Sequence, residues 1–399
     1  VFPEWTWVVG LFIGAAIGSF LNVVIYRMPR GLSLSNPPKS FCPSCNHSLG
    51  VLDLFPLLSW LLLRGRCRYC GNKISVRYFL VELITGSLWA VVWYQHLVIP
   101  TGEEILPGLQ AVRFVCYASV LAALVAIVYI DWEHYIIPDE INAFLLIPGV
   151  VLQFAEGTPM NAFWGALLGW GMLWGTALFG RGLFGKDAMG HGDIKMMRGI
   201  GACLGPFLVG ASYVLGILVG LVVSIALLFL MPDRTGDSNA GDQEKVADEE
   251  EFDAAKELKV FVLWTVVLLG APAVVCLVAG WPVIYGLLAG AVGLLGRIIF
   301  KPKPKEGPAP ESWKSLFICG LLYLFLVDVV ALFFPKLNGK LEALVPDGEE
   351  EDEFEVTAQH IPFGPYLAFG SAVCILFAQP IVSFVQEFTA NYWGSAWPP

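Results

Sequence analysis

The sequence predicts an all-α, polytopic integral membrane protein: a bundle of apolar helices with a polar, cysteine-bearing loop at one end. Three observations carry this. Apolar runs of about 20 residues, the length that crosses the hydrocarbon of a bilayer, recur along the whole chain. Of the 399 residues 56% are hydrophobic and only 15% are charged, with a mean hydropathy of +0.67. The charges are also sorted by sign. The formal net charge of −10 arises from two stretches, 233–257 with ten acids against three bases and 341–355 with eight acids and no base, so the remainder is mildly basic. Such a balance suits a protein in contact with membrane lipid and gives no footprint for nucleic acid.

Trp5 to Tyr26 is the first expected span. It has no basic region before it and a basic loop after it, as an uncleaved anchor would. Gly10, Gly14 and Gly18 recur every four residues and present a smooth face for a neighbouring helix. Asn22, polar at membrane depth, reads either as interhelical glue or as part of a site. Residues 27–77 carry eight Arg or Lys and one acid, Asp53, which by the positive-inside rule makes this loop cytoplasmic. Glu103 and Glu104 then fall outside. Arg181, Lys186, Lys195 and Arg198 fall inside, and the short segment 131–139 shares that cytoplasmic side.

Further runs are expected near 79–99, 112–130, 140–155, 160–180, 206–231 and 363–386. A shorter helical piece, Asp193 to Leu204, is only about 18 Å long. These make about eight spans. Runs at 259–279, 281–299 and 314–334 add two or three more apolar helices, bounded by the acidic stretches, which read as solvated linkers.

Cys42-Pro43-Ser44-Cys45 and Cys67-Arg68-Tyr69-Cys70 stand 21 residues apart. Each pair puts two thiols on one tight turn, and two pairs complete a tetrahedral zinc site. A cytoplasmic loop stays reduced, which disfavours disulfides; His47 is a spare ligand. The other five cysteines lie in apolar runs and read as small packing residues.

Two aspartates stand at the mouths of apolar helices on the same predicted face. Asp193 belongs to Gly190-His191-Gly192-Asp193-Ile194-Lys195, a glycine-punctuated turn. Alone, it reads best as a cap on the helix that follows. Asp131 ends the run before Trp132-Glu133-His134-Tyr135-Ile136-Ile137-Pro138-Asp139, where Asp139 is expected to N-cap the next helix and Glu133 to sit at the interface. Two carboxylates at one depth on different helices can share a proton and activate water between them.

With these motifs in order, the chain resembles the bifunctional type IV prepilin peptidases, also called leader peptidase/N-methyltransferases. The resemblance rests on Gly18-Ser19-Phe20-Leu21-Asn22 through Arg27, the two cysteine pairs, and Ser59-Trp60 with Leu63-Arg64-Gly65-Arg66-Cys67. It extends through Ile74 to Tyr78 with Val81-Glu82, Asp131 to Asp139, Gly190 to Lys195, and Ile361-Pro362-Phe363-Gly364-Pro365-Tyr366. It implies an aspartic endopeptidase of the bacterial inner membrane with Asp131 and Asp193 as the catalytic pair. Gly190, Gly192 and Lys195 would lie in the active-site turn. The implied substrate is a type IV prepilin or a type II secretion pseudopilin. The resemblance also implies methylation of the new N-terminus with S-adenosyl-L-methionine, an activity tied to the zinc loop, for which Gly65 and Glu82 are candidates. His191 has no assigned role.

The expected organisation is residues 1–100 as the methyltransferase-like part with its zinc loop, 101–231 as the peptidase core, 232–360 as an insertion, and 361–399 as the last core span. An insertion that leaves and returns on one side crosses an even number of times, so one of its three runs should not cross. The run holding Asp328 is the doubtful one. Three rivals remain open: a peptidase without methyltransferase activity, a polytopic transporter, and a scaffold whose acidic loops recruit partners.

Overall fold

The computed structural model describes residues 2–37, 39–42, 44–98, 107–184, 189–230 and 362–384. The three apolar runs of the insertion and its acidic linkers lie outside them. The helices are α1 (Trp7–Arg27), α2 (Leu58–Leu62), α3 (Val76–Trp93), α4 (Pro107–His134), α5 (Asp139–Ala155), α6 (Pro159–Phe184), α7 (His191–Leu230) and α8 (Gly364–Leu376). Among the described residues the only β-type pairing is two isolated bridges in the cysteine loop.

Within the described residues, each of the eight expected apolar runs is helical over most of its length. Five helical stretches are long and apolar enough to cross a membrane, and α8 with the helix Ala378–Phe384, bent by 82°, offers a sixth. The α5 helix is shorter, at 17 residues. The two pieces expected at 193–204 and 206–231 are joined in α7 but separated by a kink. Gly205 there adopts φ 74 and ψ 176, a backbone conformation closed to side-chain-bearing residues, and Pro206 cannot supply the N–H that would continue the ladder. Apolar side chains such as Phe12, Phe154, Phe163, Val214, Leu218 and Val222 point outward, as lipid contact requires.

The bundle has two lobes joined through α4. In the first, the glycine face of α1 lies against α3: a Cβ at Gly14 would fall 2.5 Å from Trp89 Cβ, and one at Gly18 2.7 Å from Glu82 Cα. The backbones approach as closely as the small-residue repeat predicted. In the second lobe α7 packs against α5, α6 and α8. Buried polar side chains pin these helices in register. Gln153 Nε2 donates to the Cys203 carbonyl at 3.0 Å, and the Ser212 and Ser371 hydroxyls pair at 2.8 Å. The core, which includes Leu121, Ile127, Ile130, Leu145, Met197 and Leu367, brings the ends of α4 and α7 and the start of α8 to one place.

Gly14→Leu forces α1 away from α3. It is expected to cost about 1–3 kcal/mol, the usual penalty of overpacking, and to lower the melting temperature in detergent. Unchanged melting would show that the two backbones are not in contact.

Candidate active site

Asp131 stands in the last turn of α4 and Asp193 is the third residue of α7. Both are buried, at 6% and 8% exposure, although each sits at a helix end where solvent would be expected. Their meeting point is Gly364, the first residue of α8. A Cβ built there would lie 2.5 Å from Asp131 Oδ2 and 3.2 Å from Asp193 Oδ1. Two carboxylate oxygens are therefore neighbours across one glycine. Only a residue without a side chain fits between them. The Gly364 N–H donates a hydrogen bond to Asp131, and the charges of the two aspartates act on each other directly.

The chain around each aspartate is shaped to hold it. Tyr135, at φ 58, returns its N–H to the Asp131 carbonyl at 2.9 Å, turning the chain sharply after α4. The turn before Asp193 presses on the same loop, for a Cβ at Gly192 would lie 2.9 Å from Ile137 Cβ. Asn142 of α5, fully buried, donates from Nδ2 to the Gly192 carbonyl at 3.3 Å. Asp193 is not a cap residue: it stands inside the first turn, and its Oδ1 is buried with no hydrogen-bond partner. An acceptor left dry costs about 1–3 kcal/mol. Such a group suits a place where water or a substrate carbonyl will bind.

Lys195, expected in the active-site turn, is buried and donates to both Asp139 oxygens at 2.8 and 2.9 Å. This corrects the reading of Asp139. Pro138 occupies the N-cap position of α5, which has no side-chain cap bond, and Asp139 stands inside the first turn with its carboxylate held by Lys195. The pair ties the first turn of α7 to that of α5. Glu133 is exposed at the end of α4, as expected, and both its oxygens bind Arg77 of α3, joining the lobes.

The four cysteines converge elsewhere, at the end of α1 and α3. All four Sγ atoms of Cys42, Cys45, Cys67 and Cys70 lie within 4.8 Å of one another, and all four are free thiols. The two pairs fold alike. Cys42 N–H bonds the His47 carbonyl and Cys67 N–H the Asn72 carbonyl; Asn46 N–H bonds Cys42 and Gly71 N–H bonds Cys67. Asn46 and Gly71 both take positive φ. The spacing of Cys42 and Cys70, 3.9 Å, is close to the ~3.8 Å edge of a tetrahedron built with zinc–sulfur bonds of about 2.3 Å. Burial alone would raise the Cys42 thiol, but the N–H groups of Cys45 and Ser44 and the neighbouring thiols bring it down to about 7. At Cys70 the Asn72 N–H favours the thiolate, but loss of solvent and the other three thiols outweigh it and push the group up to about 11. Four cysteine sulfurs converging this closely are the arrangement that a dication completes. His47 is not in the cluster; its ring packs on Tyr69 at 3.8 Å.

Asp53 clamps the two turns together, accepting from Gly50 N–H at 3.0 Å, Arg68 Nε at 2.6 Å and Tyr69 Oη at 3.0 Å. Burial works against its charge, yet these donors win and hold the carboxyl below its ordinary range. Gly65, at φ +65, lies under the Trp60 ring, where a Cβ would meet Trp60 Cζ2 at 2.8 Å. Glu82, buried, accepts the Leu57 N–H at 2.7 Å and a bond from Ser19. Sequence reasoning missed Gly364, Asn142 and the Lys195–Asp139 pair. Only the Ile361–Tyr366 stretch hinted at the first, and no local pattern marks the other two.

Two family models match the chain: the bacterial peptidase A24 N-terminal domain over residues 12–96 and the type IV leader peptidase family over residues 118–226. Among curated proteins, the prepilin leader peptidase/N-methyltransferase of Aeromonas hydrophila is 36% identical over 239 residues, which is 54% of this chain and 78% of the relative. That of Myxococcus xanthus is 37% identical over 248 residues, 59% of this chain and 67% of the relative. That of Klebsiella pneumoniae is 38% identical over 200 residues, 48% and 82% of the two. No solved structure matches. A polytopic helical protein with paired aspartates and a four-cysteine loop is the class that fold and site define. The chain belongs to the prepilin leader peptidase/N-methyltransferase family.

Gly364→Ala drives a methyl group into both carboxylates. A displacement near 1 Å at reacting groups costs about 10²-fold, so a loss of peptide cleavage of that order is expected, with membrane insertion intact; cleavage at the wild-type rate would mean that α8 does not touch the pair. The purified protein is expected to hold one metal ion per chain by elemental analysis, as the closed four-thiol set dictates. Cys42→Ser with Cys67→Ser should lose the ion and open residues 39–73 to protease.

Proposed function

We propose that this chain is a membrane aspartic endopeptidase that removes the leader from type IV prepilins or type II secretion pseudopilins, and then methylates the freed α-amine with S-adenosyl-L-methionine. The observation that carries the peptidase reading is the buried carboxylate pair on two helices, facing across Gly364. Two like charges so close and so dry cannot both be ionised, so the pair holds one proton. Their surroundings divide the roles. In this reading Asp131, which accepts the Gly364 N–H, serves as the base, and Asp193, whose Oδ1 has no donor, serves as the acid. Asp131 then takes a proton from water as the water attacks the scissile carbonyl. Asp193 donates a hydrogen bond to the carbonyl oxygen, where negative charge develops.

The methyltransferase half rests on the activity for which the relatives are named and on the four-cysteine loop. Zinc at Cys42, Cys45, Cys67 and Cys70 would lock the two turns and so fix Gly65 and the chain leading to α3; it supplies structure there, not reaction chemistry. The positive charge of residues 27–77 supports a cytoplasmic position for this loop in the inner membrane. The Arg77–Glu133 ion pair puts the aspartates at the same end of the bundle. A prepilin presents its leader junction on that side, at the head of its own apolar helix. The aspartates at helix ends suit such a junction, with the exposed apolar flanks of the spans available to the substrate helix. The net positive loop does not attract a basic leader by charge, so recognition falls to the carboxylates and to helix packing.

In membranes supplied with a prepilin from the same genome, Asp131→Asn and Asp193→Asn are each expected to abolish cleavage while the protein still inserts. Full cleavage by either variant contradicts the mechanism. Mass spectrometry of the processed N-terminus separates the bifunctional reading, which expects a mass gain of one methyl group, from a peptidase alone, which leaves the amine bare.

A further inference from the structure

The loop that carries the cysteines turns an apolar face outward. From Leu52 to Leu63 only Asp53 and Ser59 lack an apolar side chain, yet Leu52, Phe55, Leu58, Leu61 and Leu62 are exposed. Among the described residues, Leu62 at 81% and Leu52 at 74% stand further into the open than any large apolar side chain of the membrane-crossing helices. The face is helical in origin. In α2, Leu58, Leu61 and Leu62 fall on one side, at the spacing of helical neighbours. Leu57 and Trp60 turn inward: Leu57 is buried, and Trp60 stacks on Phe79 of α3 at 5.1 Å. A contiguous apolar patch of this kind marks a surface that something covers.

The depth of the patch says what covers it. The Leu57 N–H donates to Glu82 of α3 at 2.7 Å. Phe79 and Glu82 stand three and six residues beyond Val76, the start of that helix, roughly 5 and 9 Å along its axis. The span from Val76 to Val98 has 23 residues, about 34 Å of helix against about 30 Å of hydrocarbon. Its first two turns therefore cover the boundary between headgroups and acyl chains, and α2 is fastened beside them at that level. The charges agree. Arg64 and Arg66 follow the leucines directly, the bridge between Arg66 and Lys73 brings a third base alongside, and all three are exposed. An apolar helix face edged by bases is the pattern of a segment lying in the bilayer surface, where anionic headgroups attract the bases. A second copy of the chain seated on the patch would instead bring like charges together.

We propose that the leucine face of α2 is inserted into the bilayer beside the bundle. Residues 52–62 then lie along the membrane surface, and the second cysteine turn rests on anionic headgroups through Arg64, Arg66 and Lys73. The loop is held from two sides: α3 packs Leu57 and Trp60, and lipid takes the opposite face. Such anchoring depends on neither the peptidase nor the methyltransferase reading, because exposure and depth alone imply it.

The test uses the full chain in nanodiscs of phosphatidylethanolamine and phosphatidylglycerol. The photoreactive residue p-benzoylphenylalanine replaces Leu62, and the adducts formed on illumination are read by mass spectrometry. Adducts carrying the mass of a phospholipid are expected. Adducts to a second copy or to residues elsewhere in the same chain, or no adduct at all, would overturn the proposal, since each leaves acyl chains away from the face. Leu61→Glu combined with Leu62→Glu gives an independent reading; both side chains are exposed, so the fold loses no packed contact. Carboxylates are costly at an apolar boundary and should lift the segment from it, speeding trypsin cleavage after Arg64 and Arg66 about tenfold. Cleavage at the unaltered rate would mean that the segment already stands in water.

Discussion

The structure depends on bringing two carboxylates together where neither can be solvated freely. Like charges at this separation repel, and burial removes the water that would screen them. The arrangement survives only because three helices hold it from outside. The α4 helix carries Asp131, α7 carries Asp193, and α8 inserts a glycine with its N–H aimed at Asp131. Much of the surrounding architecture serves that placement. Asn142 fixes the turn before Asp193, and Lys195 with Asp139 locks two helix starts together. Gln153 and the Ser212–Ser371 pair hold the register of α5, α7 and α8. These polar contacts are individually modest, about 0.6 kcal/mol on average between membrane helices. Their value lies in position rather than in total stability.

A second constraint operates in the other lobe. The loop of residues 27–77 buries few of its apolar side chains, with Leu52, Phe55, Leu61 and Leu62 all exposed, and a chain of that kind rarely folds on hydrophobic burial alone. Two matching turns bring four thiols within reach of one another, and Asp53 ties one turn to the other. The loop then leans on α3 through Glu82, which accepts the Leu57 N–H where the backbone takes a φ of 62. Strain at such a residue persists only where the surroundings over-determine it.

Much of this was legible in the sequence, and the reason is chemical. Membrane spans announce themselves by length and hydropathy, and the glycine repeat of α1 announced its packing face before its partner was known. The break in α7 falls between the two pieces expected at 193–204 and 206–231. The cysteine pairs needed only their spacing. Asp131 and Asp193 stood out because charge is rare at apolar helix ends. What stayed hidden was whatever depends on residues far apart in the chain. Gly364 lies well beyond the insertion, and nothing local says that its missing side chain makes room for two carboxylates. Asp139 looked like a cap because its position before α5 permits one; Lys195, 56 residues on, takes the carboxylate instead. Asn22 left two readings open, and the bond seen is the interhelical one: Nδ2 donates to the Tyr78 carbonyl at 3.0 Å.

The central claim is that Asp131 and Asp193 act on one substrate atom across Gly364. A cryo-electron map of the full chain with a hydroxyethylene mimic of the leader–helix junction tests it most directly. The account predicts the hydroxyl within hydrogen-bond reach of both aspartates, with Gly364 against the mimic. A mimic bound with its hydroxyl away from either carboxylate would contradict it.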